Sequence, residues 1–245
     1  RRGDVKQAEP AVYQRLDPED LFAMKGTGRV TPDALDALRA SDVPPGDTVA
    51  GEVASTDPLA GYVGPIVRSL GKEKQKSFQL NLSKYIDRNA STVTSATREL
   101  NWDFKNGLIR LETSRAQAAA GFLGKAGQID LGDFFVTCGN EYACILIIAL
   151  DDQPLRTSKS VLIQVSTDDQ PYGFKVAEDR IADVGRSPYG IEKLKVSISM
   201  PAGTLVALDE NGMPKHPVDA KSSVDGGRQM ATLAPDAMYH LFTRP

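Results

Sequence analysis

Asn101-Trp102-Asp103-Phe104-Lys105-Asn106-Gly107-Leu108-Ile109-Arg110-Leu111-Glu112-Thr113 reads as two strands joined by a turn. Apolar and polar residues alternate on both sides of Asn106-Gly107, the period-2 signature of half-buried strands. An Asn-Gly pair tolerates positive φ at both central positions of a type I′ turn, so the stretch predicts a tight hairpin. Phe134 to Leu150 predicts a second hairpin, connected by Gly139-Asn140-Glu141-Tyr142, and Ser160 to Val165 a strand buried on at least one face.

Working outward, Phe78 to Leu82, Ile191 to Met200, Thr204 to Leu208, Gln229 to Leu233 and Met238 to Phe242 add further strands, with Asp209-Glu210-Asn211-Gly212 as a turn. Ala116 to Ala120 has helix propensity, but Gly121 and Gly124 and the strand context favour a closely packed extended segment. Ser166 to Lys193 is a looser stretch carrying Pro171-Tyr172-Gly173 and Pro188-Tyr189-Gly190. Short strands separated by turn signals, without a long amphipathic helix, predict a mainly β fold, an antiparallel β-sandwich.

The first 75 residues have a different texture. Asp17-Pro18-Glu19-Asp20 and Thr31-Pro32-Asp33 each supply an N-cap, a proline at the first helical position and an acidic first turn, predicting two short helices that end near Gly26 and Ser41. From Asp42 to Gly64 prolines and glycines break any regular element. The expected organisation is a helical or linker segment over 1–75, followed by the sandwich over 76–245.

A net charge of −3 provides no basic field for nucleic acid. No apolar run approaches the roughly 20 residues of a membrane-spanning helix. The N-terminus is polar and lacks both an apolar signal region and an initiator methionine, so the chain is expected to begin inside a longer protein or after processing.

Cys138 and Cys144 fall on the two arms of the second expected hairpin. If they lie directly opposite, a cross-strand disulfide can form, which implies an oxidising compartment; the other reading is two buried free thiols. Neither His216 nor His240 has ligand spacing to the cysteines, so no metal site is expected, nor is a cofactor. The adjacent carboxylates Asp151-Asp152, Asp168-Asp169, Glu178-Asp179 and Asp209-Glu210 read as solvated turn formers, and no nucleophile elbow, phosphate loop or zinc-protease motif is present. Trp102, the only tryptophan, reads as a half-buried aromatic beside the hairpin. With Tyr172 and Tyr189 it is also a candidate sugar-stacking ring.

Three runs carry a resemblance: Thr94-Ser95-Ala96-Thr97-Arg98-Glu99-Leu100-Asn101-Trp102-Asp103 with Lys105-Asn106-Gly107-Leu108, Glu112-Thr113-Ser114-Arg115-Ala116-Gln117-Ala118 onward to Leu123, and Asn140-Glu141-Tyr142 onward to Asp151. Together they resemble the C-terminal β-sandwich region of large bacterial, planctomycete-type glycoside-hydrolase-like proteins. In these a strand ending T-G-E-L-x-W-D leads through K-G to D-T-P-R-x-Q-A. This chain departs from that pattern at Arg98, where Gly is usual, and at Ser114, where Pro is usual. The resemblance implies a secreted, periplasmic or cell-surface accessory domain that braces an upstream catalytic (β/α)₈ barrel acting on polysaccharide or oligosaccharide. The catalytic acid and nucleophile would lie upstream, so no catalytic residue is carried over. The competing expectation is a stand-alone carbohydrate-binding or surface-assembly module, which requires exposed aromatic rings.

Overall fold

The computed structural model describes residues 3–16, 57–70, 77–222 and 227–244. The two helices expected after Asp17 and Thr31 lie outside the described residues. The chain divides into two compact units, one of Lys6–Lys105 and one of Asn106–Pro245 with Arg1–Val5. The fold is mainly β and its larger sheets are antiparallel.

In the smaller unit, β1 (Val12–Leu16) pairs in parallel with β2 (Ile66–Leu70) and antiparallel with β3 (Phe78–Gln79). The antiparallel strands β4 (Ile86–Asp87), β5 (Thr92–Thr94) and β6 (Leu100–Asp103) follow. Its core is small: Ala11, Val12, Ala60, Val63, Leu82 and Val93. Pro58, Gly61 and Gly64 do not exclude regular structure as expected, because one helical turn, α1, forms over Ala60–Val63 and buries Ala60 and Val63.

The larger unit has two main sheets and a two-part arm among its described residues. The first orders β7 (Leu108–Glu112), β8 (Ala116–Gly121), β11 (Ala143–Ala149), β12 (Ser160–Thr167), β22 (Tyr239–Thr243), β18 (Thr204–Leu208) and β19 (Pro214–Val218). The second orders β9 (Gln128–Asp130), β10 (Phe135–Cys138), β17 (Val196–Pro201), β21 (Arg228–Thr232) and β20 (Ala220–Ser222). Strict alternation buries Ala143, Ile145, Ile147 and Ala149 of β11 and Val196, Ile198 and Met200 of β17. These inner faces, with Phe134, Leu155 and Phe242, belong to one buried cluster drawn from both sheets, the packing of a β-sandwich. The segment around Ala116 to Ala120 is extended, as expected.

Two expectations are corrected. Phe134 to Leu150 is not a hairpin: β10 pairs with β9 and β17, whereas β11 pairs with β8 and β12. Residues 139–142 carry the chain from one sheet to the other. The turn at Asn106-Gly107 is not type I′ either. The connection is four residues long (104–107), the Asp103 carboxylate accepts a bond from the Lys105 amide at 3.1 Å, and Gly107 has φ +65 while Asn106 keeps negative φ. Longer connections are most often built around a type I turn and place one glycine in the left-handed region.

The conformation expected at Asn106-Gly107 occurs elsewhere. The stretch 169–191 is a β-arm: β13 (Asp169–Tyr172) pairs with β16 (Arg186–Ile191), and β14 (Lys175–Ala177) with β15 (Arg180–Asp183). Glu178 and Asp179 close it with φ +51 and +58, the sign pattern of a type I′ turn. Neither residue is glycine. Three of the four carboxylate pairs lie in turns or bends, with Asp151 accepting from the Lys159 amide at 2.7 Å and Asp209 from the Met213 amide at 2.8 Å, whereas Asp168-Asp169 is not a turn and leads straight into β13.

Candidate functional site

The base of the arm is built on a buried asparagine. Asn140 is fully buried, its Nδ2 donates to the Lys193 carbonyl at 2.9 Å, and its Oδ1 accepts from the Lys195 amide at 2.8 Å. Gly139 N–H donates to the Lys195 carbonyl at 2.7 Å, and the Thr167 hydroxyl to the Glu192 carbonyl at 2.7 Å. The strands entering and leaving the arm are thereby tied to each other and to the sheet-to-sheet crossing.

Above this base lies a cleft of about 560 Å³, lined among others by Asp168, Gln170, Tyr172, Phe174, Tyr189 and Glu192. Pro171 stands opposite Tyr189 and Tyr172 opposite Arg186, so the register slips by two residues between adjacent rungs. Both tyrosines line the hollow beside this irregularity. Tyr172 is 67% and Tyr189 65% exposed, although a large aromatic usually buries more of its surface. Glu192 is held by Lys195, with Nζ 2.7 Å from Oε1, and this hydrogen bond, followed by one from Asn140, keeps its carboxyl below the usual range.

The structure thus brings together two of the three aromatic candidates. Trp102 belongs to the smaller unit. It is half-buried against that unit's core, with its ring 4.2 Å from Tyr62 and 5.7 Å from Phe104. The cleft residues not singled out from sequence are Phe174, Asp168, Gln170 and Glu192. The twice-repeated Pro-Tyr-Gly was the available signal, since its two copies face each other across the ribbon.

Of the two readings left open for the cysteines, the structure has free thiols, Cys138 buried and Cys144 half-buried. Cys138 pairs with Val196 in the second sheet and is buried in the core, while Cys144 pairs with Ser166 and Ala120 on the outer side of the first. Residues on different sheets and on different faces cannot meet cross-strand geometry. Burial pushes both thiols up, away from a reactive thiolate.

His240 is fully buried, and its Nε2 accepts from the Ala234 amide at 3.0 Å. Burial first, then the charge of His216, lowers its pKa to about 4, against the opposing pull of Asp236. An unfolded histidine titrates near 6.5. Above that value both states are neutral; below it the unfolded chain takes up a proton that the folded chain refuses. Stability is therefore expected to fall as pH drops from about 6.5 to about 4, by about 3 kcal/mol in total. Urea unfolding across that range should show the loss in the parent and a smaller one in His240→Gln, which keeps an acceptor but does not titrate.

The displaced carboxyls Asp151, Glu192 and Asp236 are all displaced downward, the wrong direction for a glycosidase acid. Among the described residues no three His, Cys, Asp or Glu side chains gather to hold a metal ion, and no helix is long and apolar enough to cross a membrane. Compared with known families and curated proteins, the chain matches no family model and no curated sequence.

Proposed function

We propose that this chain is a non-catalytic, saccharide-binding β-sandwich, working as a secreted, periplasmic or cell-surface accessory part of a glycoside hydrolase. The observation that carries the reading is the cleft at the arm base. There, two tyrosines more than three-fifths exposed share a hollow with Gln170, Asp168 and Glu192. Sugar rings present apolar C–H faces and a polar hydroxyl rim, which suit aromatic faces bordered by carboxylate and amide acceptors. The resemblance supports the rest of the reading: the bond-cleaving carboxyls would belong to an upstream barrel, and this domain would hold substrate near it.

Glycan-array screening followed by calorimetry on the best oligosaccharide tests the reading. Tyr172→Ala and Tyr189→Ala are each expected to weaken binding about tenfold. Thermal stability should barely move, because both side chains are exposed. Tyr142→Ala, an exposed ring elsewhere, serves as the control and should bind as the parent does. Binding untouched by both cleft substitutions, or no glycan bound at all, sinks the proposal.

A further inference from the structure

The lining of the cleft at the arm base carries charge of one sign. Asp168 and Glu192 enter it from chain segments bonded to each other, the Glu192 amide donating to the Asp168 carbonyl at 3.1 Å. Among the described residues no lysine, arginine or histidine lines the hollow. Lys195 binds Glu192 from outside the lining and offsets one of the two charges. Arg186 shares a rung with Tyr172 but also lies outside the lining. Asp168 is exposed and has no side-chain partner among the described residues. Three aromatic rings, Tyr172, Tyr189 and Phe174, share the same hollow. The face of an aromatic ring is the negative end of its quadrupole, so rings and carboxylate attract the same kind of group, a cation.

Resting on the saccharide reading above, we infer that the cleft takes an amino sugar, its protonated amine held by the Asp168 carboxylate and the aromatic faces. A neutral sugar would use the stacking faces and the hydroxyl acceptors but not the charge. N-acetylation removes the cation and keeps the ring, so it separates the two contributions. A uronic acid would bring a carboxylate to a hollow that already holds two, and like charges repel. A lysine side chain carries the same cation, yet lacks the C–H faces that two open tyrosines would stack on. An exposed ion pair contributes modestly and a cation over an aromatic face adds to it, together enough for about a tenfold preference.

Calorimetry at about pH 5.5, where amines are charged and ordinary carboxylates ionised, tests this with equal-length oligomers of glucosamine, N-acetylglucosamine, glucose and galacturonic acid. The glucosamine oligomer should bind about tenfold more tightly than the N-acetylated or glucose oligomer, and the uronate most weakly. The preference should shrink as salt is raised. Asp168→Asn should bring the ratio of glucosamine to glucose affinity close to one. Asp169→Asn removes the same charge one residue outside the lining and should leave that ratio as in the parent. A lysine peptide of equal charge should bind at least about tenfold more weakly than the glucosamine oligomer. A glucose oligomer bound as tightly as the glucosamine one, or a preference that survives Asp168→Asn, overturns the amino-sugar assignment and leaves the saccharide reading standing. A lysine peptide bound as tightly as the glucosamine oligomer overturns that assignment too. No glycan bound at all overturns both.

Discussion

Gly121→Ala is expected to destabilise the larger unit by about 3 to 5 kcal/mol, through overpacking and backbone strain together. Gly121 ends β8 with φ +123, a conformation that L side chains rarely adopt. A Cβ placed there would lie 1.8 Å from the Gly107 carbonyl oxygen and 3.0 Å from its carbon. Backbone cannot swing aside as a side chain can, so the β7–β8 rung Leu108–Gly121 would have to open. Gly107 cannot retreat easily, because it too has positive φ and its own Cβ position lies 2.7 Å from the Phe122 ring. The matched control is Gly127→Ala. Its φ is +67, but it has nothing within 4 Å, so only conformational strain of about 1 kcal/mol is expected. Urea titrations of both variants separate strain from collision, and equal losses would refute the close-approach argument.

Asn140→Ala should cost about 2 to 4 kcal/mol and loosen the arm. Truncation leaves the Lys193 carbonyl and the Lys195 amide without the partners they have in the parent, and stranded groups cost more than the bonds themselves gain. Hydrogen exchange should rise across 192–195 and along the arm, more than in strand β5 of the smaller unit. Asn140→Asp is a sharper probe. It keeps the acceptor for Lys195 N–H but turns a carboxylate towards the Lys193 carbonyl. It should therefore be worse than alanine near neutral pH and recover partly in acid, when a protonated carboxyl can donate. Exchange confined to the parent level in both variants would show that the arm is anchored without Asn140.

The aromatic candidates show how far local pattern reaches. Tyr172 and Tyr189 were readable as turn-flanking rings in paired Pro-Tyr-Gly segments, and Trp102 as a ring beside a hairpin. That the first two share a cleft follows from the pairing of β13 with β16, which alternation cannot reveal. Arg98 makes the same point for the backbone. It occupies the position where the resembled pattern carries glycine, and it has φ +63, with its guanidinium 5.2 Å from the Tyr85 ring centre. Nothing in its neighbours announces a left-handed residue.

Apolar or alternating runs of strand length between turn signals were enough to establish β11, β12, β17, β18, β21 and β22, whereas β8 was read from its flanking glycines and strand context against a local helix propensity. Three of the four acidic pairs were legible as turn formers because an Asp side chain bonds nearby backbone, while Asp168-Asp169 instead leads into β13. Strand pairing belongs to another scale. Gly139-Asn140-Glu141-Tyr142 has the composition of a hairpin turn, yet Asn140 satisfies its amide on Lys193 and Lys195, more than fifty residues on. That distant partnership lies where the chain crosses from the sheet of β10 to that of β11, between Cys138 and Cys144, and ties the base on which the tyrosine cleft stands. Local sequence determined most strands of the sandwich core, but not the four strands of the arm, which lie in a stretch that reads as loose. Only tertiary structure decided which strands meet, because the hydrogen bonds and buried surface that choose between pairings come from parts of the chain that no local window contains.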